Sequence, residues 1–438
     1  MMKPKETQTP SCAGHCRPWS LWPWAAAGIL LWTSGCSIHP SWGWPGWGGP
    51  SRDFKVQAVA LSSSWSSEGP PQLWSREVGD GYSGISVDGE RLYTMYRQEG
   101  VEVVVALGLS TGRTLWQHQY AAPIEREQDS THRKYGVGPQ ATPLLTREGL
   151  VTIGWNGSLY CLKKDTGETL WSHELAGDFK SIPLSRGFSS SPIAYRDLVL
   201  CLVGGPGHSL MAFNARDGRV VWARHDFKRS HSSPILINVD GQDQLVGMME
   251  EEVIGVDPET GDMLWSHTHG LAGGLTVSTP VWGADNQLFL STAYSGGSRT
   301  LKLTRSKGRT LVEELWFTKR MRVHHGNVIR LDGIAYGFSG DFGPAFLTAI
   351  RVSDGKVVWR HRGFAKGTLL HADGKFIILD EDGTLALAVP GETGIEVLAR
   401  AQPLEYNSWT VPSLVGNMLY VRSRKKIVAF DLGASRTE

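Results

Sequence analysis

The sequence predicts an all-β protein, a closed eight-bladed propeller of four-stranded antiparallel blades. Three observations carry this: a Gly-to-Trp phrase that returns along the chain, a Ser/Thr-Pro phrase that alternates with it, and two chain ends that complete one another. Gly112 stands four residues before Trp116, Gly167 before Trp171, Gly218 before Trp222, Gly261 before Trp265 and Gly355 before Trp359. Gly308 and Trp316 form a stretched copy, Gly394 and Leu398 a copy without Trp, and Trp74 an anchor with no turn before it. Successive anchors lie 39 to 55 residues apart, the period of a four-stranded blade.

Each element of the repeat has a local reason. In "GSLYCLKKDTGETLW" (157–171) an apolar run is followed by Asp165-Thr166-Gly167, and "ETLW" returns as the next strand. Asp165 is suited to bond nearby amides, and Gly167 to take the positive φ of the turn. Stacked blades bury both sheet faces, so apolar residues at Leu159 and Cys161 and at Tyr160 and Leu162 are all accommodated. A Trp closing the gap to the neighbouring blade would bury about 150–250 Å². Trp74, Trp116, Trp171, Trp222, Trp265, Trp316 and Trp359 are therefore packing anchors.

The second phrase reads "ATPLL" (141), "SSPIA" (190), "SSPIL" (232) and "STPVW" (278). Looser copies are "YSGIS" (82), "HGNVI" (325), "GTLLH" (367) and "TVPSL" (410). A Pro at a strand start costs no ladder bond, so this phrase opens the innermost strand of each blade. The last strand, from Lys425, has no turn or Trp after it, whereas Trp74 has a strand and no turn before it. The two share one blade, which closes the ring and removes its edges.

The chain divides into an export signal (1–36), a Gly/Pro/Trp-rich tether or strap (37–70), the propeller (71–433) and a short tail (434–438). The segment "CRPWSLWPWAAAGILLWTSGC" joins Arg17 to an apolar run too short to span a bilayer comfortably. Its end, Thr33-Ser34-Gly35-Cys36, resembles a bacterial lipoprotein processing site in which Cys36 is lipidated, with Thr33 where Leu is usual; simple signal cleavage is the alternative. Cys12 and Cys16 fall in the signal. Cys161 and Cys201 lie in apolar strands and read as buried thiols, and no Cys-based metal spacing occurs. With 44 Lys+Arg against 43 Asp+Glu, charge gives no general attraction to nucleic acid. The basic run "TKRMR" (Lys319, Arg320, Arg322) reads as a solvated loop.

Candidate ligand-binding residues gather just before the inner strands, where the chain lines the central channel: Tyr82, Gln140, His231, His324, His325 and Trp409. Alternation along a strand would place His324 and His325 on opposite faces, which argues against a shared metal. "LDEDGTLAL" (Asp380, Glu381, Asp382, Gly383) aligns by repeat with Asn156-Gly157 and reads as a hairpin turn; "MMEEEV" (Glu250 to Glu252) and "LVGGPGHSL" also read as turns. No GxSxG elbow appears, and no catalytic or metal-binding residue is assigned.

The DxxTGxxxW phrase, the Ser/Thr-Pro strand starts and the opening "WPGWGGPSRD" resemble the pyrroloquinoline-quinone-like propeller proteins, in particular their exported stand-alone bacterial group, over residues 44–433. Gly48 and Gln140 depart from that group, where Arg is usual. The resemblance implies a quinoprotein-dehydrogenase-like fold and two kinds of relative. Dehydrogenases hold the quinone and calcium in the propeller funnel, against an adjacent Cys-Cys pair that this chain lacks. The propeller lipoprotein of the outer-membrane assembly machine acts as a scaffold and binds no quinone. The expectation is a monomeric binding or assembly scaffold of the bacterial envelope, exported and membrane-anchored through Cys36, with envelope proteins as partners and no cofactor. A quinone- and calcium-dependent alcohol dehydrogenase is the alternative. A surface protein binding glycan or peptide is a second, favoured if Trp42, Trp44 and Trp47 stay unpacked.

Overall fold

A computed structural model describes residues 43–57, 60–124, 130–271, 275–341 and 343–433. Cys12, Cys16, Cys36, Trp42 and the tail lie outside the described residues. Among the described residues the strands form eight sheets, seven of them containing four consecutive strands. We letter the blades A (86–121), B (144–174), C (193–224), D (235–268), E (281–318), F (329–361), G (367–401) and H. Blade H joins Gln72–Glu77 as its outer strand to Lys426–Asp431, Met418–Arg422 and Ser413–Val415, so the ends of the chain close the ring as expected. The Ser/Thr-Pro phrases open the innermost strands, for example Ile193–Tyr195 and Ile235–Val239.

The core is a series of inter-blade layers. Leu159 and Cys161 pack with Val199, Cys201 and Phe213 of blade C. Leu162, on the other face of the same strand, packs with Tyr93, Met95 and Trp116 of blade A. Alternate side chains of one strand thus serve two cores, which is why the strand sequence is apolar throughout. Burial pushes the thiols of Cys161 and Cys201 up to about 12, so both remain uncharged.

The Gly-to-Trp phrase joins neighbouring blades. A Cβ at Gly218 would lie 2.6 Å from the Trp171 ring, and one at Gly167 2.5 Å from Trp116. The Trp lies flat against the turn glycine of the next blade, and its indole N–H donates to a carbonyl of that turn: Trp74 to Leu109 (2.9 Å), Trp116 to Lys164 (2.9 Å), Trp171 to Ala215 (3.0 Å) and Trp316 to Val352 (2.7 Å). Two anchors depart: a Cβ at Gly394 would meet nothing within 4 Å, so Trp359 keeps only its bond to Gly391 O (2.9 Å), and Trp265 has lost both, because the stretched turn at Gly308 has moved away. It donates instead to Gln244 Oε1 of its own blade (2.7 Å), and Gln244 Nε2 donates to Thr310 Oγ1 of blade E (2.8 Å).

One anchor shifts. In each Trp-bearing blade a bulge at the residue before Trp lets the indole pair across, as in Ala349 opposite Trp359. In blade G the pairing is Leu387 with Ala399 and Ala388 with Val397. Leu398 is the bulged residue, and Ala399 holds the place of the Trp, because the hairpin before it is tightened between Gly391 and Gly394.

The segment before blade H is a strap. Gly43–Trp44 pairs with Ser86–Asp88 of blade A, and Lys55–Val56 runs parallel to Gly367–Ala372 of blade G. Between them Leu145 N donates to Pro45 O (2.7 Å), Trp47 Nε1 to Thr279 Oγ1 (2.9 Å) and Arg52 Nη2 to Ala194 O (2.7 Å). These contacts fall on the innermost parts of blades B, E and C, so the strap crosses one end of the channel. Gly48 has φ 81°, and a Cβ there would lie 2.6 Å from the Arg52 backbone, so the strap's own turn requires glycine.

Candidate functional site

With one end of the channel crossed by the strap, the other end is a cup of about 430 Å³ whose lining includes Trp47. One position of the Ser/Thr-Pro repeat, read around the ring, supplies its wall: Tyr82, Gln140, Ser189, His231, Val277, His325, Lys366 and Trp409, one from each blade A to H. All six residues expected at the channel mouth line this cup. Sequence reasoning missed Ser189, Val277 and Lys366, which the register of the repeat would have found. It also missed Tyr135, Tyr294 and Asp341, which come from loops and a short helix with no repeat signal, and it read Glu381 as part of a hairpin turn alone.

The hydroxyls of the same phrase join the blades around the channel. Ser83 Oγ donates to Ala141 O (2.8 Å), Ser232 Oγ to Ser278 O (3.0 Å) and Thr410 Oγ1 to Tyr82 O (3.0 Å). Thr142 N donates to Ser191 Oγ, and Ser191 N to Ser233 Oγ, each at 2.9 Å. The inner loops are therefore held by bonds from one blade to the next rather than by flexible side chains alone.

The aromatic part of the wall is packed on itself. Tyr82 stacks on Trp409 with ring centres 4.9 Å apart, and Tyr135 and His325 lie 5.5 and 5.0 Å from Trp409. The Tyr82 hydroxyl donates to Tyr135 O, and burial holds its pKa well above the ordinary tyrosine range. Trp409 Nε1 donates to Glu381 Oε2 (3.1 Å), whose other oxygen is 3.5 Å from Lys366 Nζ. Asp341 pairs with Arg322 at 3.0 Å. Gln140 Nε2 donates to Arg186 O (3.2 Å), and the Arg186 guanidinium lies over the Tyr135 ring at 5.1 Å.

The histidines are neutral at pH 7. Burial first, then the charges of Arg229 and Arg186, lowers His231 to about 4. Burial and Lys366 lower His324 to about 4, and burial with His324 and Lys366 holds His325 well below the usual range. His231 Nδ1 meets Ser189 Oγ at 2.6 Å, and its Nε2 has no hydrogen-bond partner among the described residues.

The expectation that His324 and His325 diverge is corrected. They lie in the loop before Ile329–Leu331, not in the strand, so strand alternation does not separate them. Their Nδ1 atoms are 3.0 Å apart, and His324 Nε2 meets Tyr294 OH at 2.7 Å. Among the described residues, no three His, Cys, Asp or Glu side chains converge as a metal site.

The residues present do not fit a quinone and its calcium. The two cup carboxylates, Asp341 and Glu381, are each held by a cation, and calcium needs several converging oxygens. Asp380 is buried and accepts the amides of Ala365 (3.1 Å) and Thr384 (2.9 Å), and Gly383 with φ 92° makes the expected turn. Cys161 and Cys201 lie in strands of blades B and C, away from the cup wall. The strap aromatics are also packed: Trp44 is 3% exposed, and Trp47 stands edge to face with Phe54 at 5.1 Å. That removes the exposed aromatic surface on which the glycan- or peptide-binding alternative depended; Trp42 is outside the described residues. The turns at Glu250 and at Gly204 to Gly207 are hairpins.

A family model described as outer membrane protein assembly factor BamB matches residues 100–359. The outer membrane protein assembly factor BamB of Xanthomonas campestris pv. campestris is 25% identical over 372 residues, covering 72% of this chain and 84% of that one. The crystal structure of BamB from Moraxella catarrhalis is similar with a TM-score of 0.58 and 16% identity, over 83% of this chain and 100% of that one. The quinohemoprotein alcohol dehydrogenase from Comamonas testosteroni is similar with a TM-score of 0.64 and 13% identity, over 90% of this chain and 81% of that one. At such identities the two solved structures establish a shared fold and nothing about chemistry. Sequence match, eight-bladed ring and Gly-Trp locks agree: the chain belongs to the PQQ-like propeller family whose model is described as outer membrane protein assembly factor BamB.

Proposed function

We propose that this protein is an assembly scaffold of the bacterial envelope, exported and anchored through a lipidated Cys36, which docks proteins that build outer-membrane proteins. The observation that carries the reading is the family match, which spans more than half of the chain and most of blades A to F. The cup agrees with it: its carboxylates are engaged by cations, and its histidines are neutral, poor bases at pH 7.

Beside the cup, Lys319, Arg320, Arg322 and Arg360 surround a groove of about 310 Å³ whose one acidic lining residue is Asp341. The run "TKRMR", read from sequence as a solvated loop, thus meets Arg360 of the next outer strand, whose guanidinium donates to Arg320 O. On this reading the groove is the docking face, because a cluster of cations on a chain of net charge +1 selects an acidic partner surface and speeds its association.

Photo-crosslinking in the native bacterium tests this. A crosslinker at Arg320 or Arg360 is expected to capture an outer-membrane assembly protein, while one at Lys163 on another blade is not. Equal capture from both positions, or loss of the protein without effect on outer-membrane protein levels, would refute the scaffold. Cys36→Ala is expected to move the protein from the membrane to the soluble fraction and to abolish incorporation of labelled fatty acid. Labelling that persists would reject Cys36 as the anchor.

A further inference from the structure

The cup has two unlike walls. Eightfold order places blade B across from F, C from G, and D from H. Gln140, Ser189 and His231 therefore face His325, Lys366 and Trp409. The repeat positions of the first arc are uncharged and, with their neighbours Ser191 and Ser233, rich in hydroxyl and amide groups. The other arc presents rings, with Lys366 held by Glu381 at 3.5 Å.

The polar arc has unused hydrogen-bonding capacity. Ser191 and Ser233 each accept a backbone amide at 2.9 Å and have no acceptor for the hydroxyl proton among the described residues. His231, only 7% exposed, keeps Nε2 unpartnered, and His325 Nε2 is likewise unpartnered in the facing arc. Buried polar groups without partners are costly, and each marks a place where a ligand atom would bond. The ion pairs at Lys366 and Asp341 satisfy the fixed charges they contain, and Arg186 is engaged by the Tyr135 ring. These walls therefore favour a neutral guest over an ion.

We infer that the cup binds a neutral cyclic saccharide of one or two rings, with its hydroxyl edge against Gln140, Ser191, His231 and Ser233 and its C–H face toward the ring-bearing arc. A pyranose is itself two-sided, with hydroxyls at the edge and C–H bonds on the face, which matches the division of the wall. The cup's 430 Å³ is within the size range of small-ligand sites, about 300–1,000 Å³. Trp47 contributes to the lining, so the strap takes part in the site as well as closing the channel. This site is distinct from the exposed aromatic surface that the sequence raised, and it does not depend on the scaffold reading.

Titration of the full chain with maltose, cellobiose, trehalose and N,N′-diacetylchitobiose, followed by calorimetry and tryptophan fluorescence, tests the inference. Sorbitol lacks the ring, and glucose 6-phosphate adds charge. At least one disaccharide is expected to bind saturably and one to one, with sorbitol silent and glucose 6-phosphate weaker. Gln140→Leu and His231→Phe, each shown to be folded by its near-ultraviolet dichroism, are expected to weaken binding by about tenfold or more. No saturable response from any disaccharide up to its solubility limit would overturn the inference. So would binding unchanged in both variants, and tighter binding of glucose 6-phosphate would make the cup an anion site instead.

Discussion

Residue by residue, the turn glycines and tryptophans form one joint made twice over, by contact and by hydrogen bond. Gly218, with φ 73°, has Trp171 against it, whereas Gly308, with φ 79°, has nothing within 4 Å. Gly308→Ala meets only the left-handed backbone penalty, about 1–2 kcal/mol. Gly218→Ala adds a clash with a ring that cannot retreat, and we expect a loss larger by about 1–3 kcal/mol. Urea denaturation of the two variants checks this; equal losses would show that the Trp contact adds nothing. Gln244→Leu leaves the buried indole N–H of Trp265 without its acceptor and is expected to cost about 1–3 kcal/mol, measured the same way.

Among the elements, the closing strand and the strap make different contributions. Gln72–Glu77 completes a sheet and carries Trp74, which is 8% exposed and locks onto blade A through Gly112 and Leu109. Removing the chain through Val78 opens the ring, leaves Lys426–Asp431 without its outer neighbour and is expected to destroy cooperative unfolding. Removing only the residues before Gln72 takes away the strap and uncovers the channel end, but spares all eight blades. That shorter deletion is expected to keep a cooperative transition at lower stability. If both deletions unfold alike in thermal melts, the strap, and not the closing strand alone, holds the ring together.

The phrase before each inner strand also shows how far the elements are legible in sequence. The position three before Pro can be read from the repeat in Gln140, His231 and Trp409; the phrases of blades A and F lack Pro, and there the strand register places Tyr82 and His325. Ser189, Val277 and Lys366 occupy the same register but have side chains that, taken singly, suggest no ligand. The four-residue offset puts Leu398 one place too early, because it does not reveal where a bulge falls; the hydrogen-bond register of blade G decides that. His324 and His325 read as strand residues, and a loop brings them together instead.

For the molecule as a whole, burial of neutral histidines makes the ring acid-sensitive. His231 is lowered to about 4 and His269, 2% exposed beside Thr292, to about 3. Both stay neutral in the folded protein, while the unfolded chain takes up their protons near pH 6.5. Stability from these sites is therefore complete above about pH 6.5 and falls as pH drops toward the folded values, by on the order of 3 kcal/mol for His231. Denaturation midpoints between pH 7.5 and 5 are expected to decline, and His231→Gln to flatten the slope. A slope unchanged in that variant would mean that His231 takes up its proton in the folded protein at the same pH as in the unfolded chain.

The ring itself is written in the amino-acid order: the period counts the blades, the Gly-Trp offset locates the joints, and the two ends show how the circle closes. Those features are local, since turns and alternating apolar strands are properties of a few neighbouring residues. What the ring encloses comes from folding in three dimensions. The cup is assembled from one residue per blade, tens of positions apart in the chain, and its charge state follows from burial and from Lys366, Glu381 and Asp341 meeting across loops. No local pattern encodes such meetings, because closure of the ring creates them.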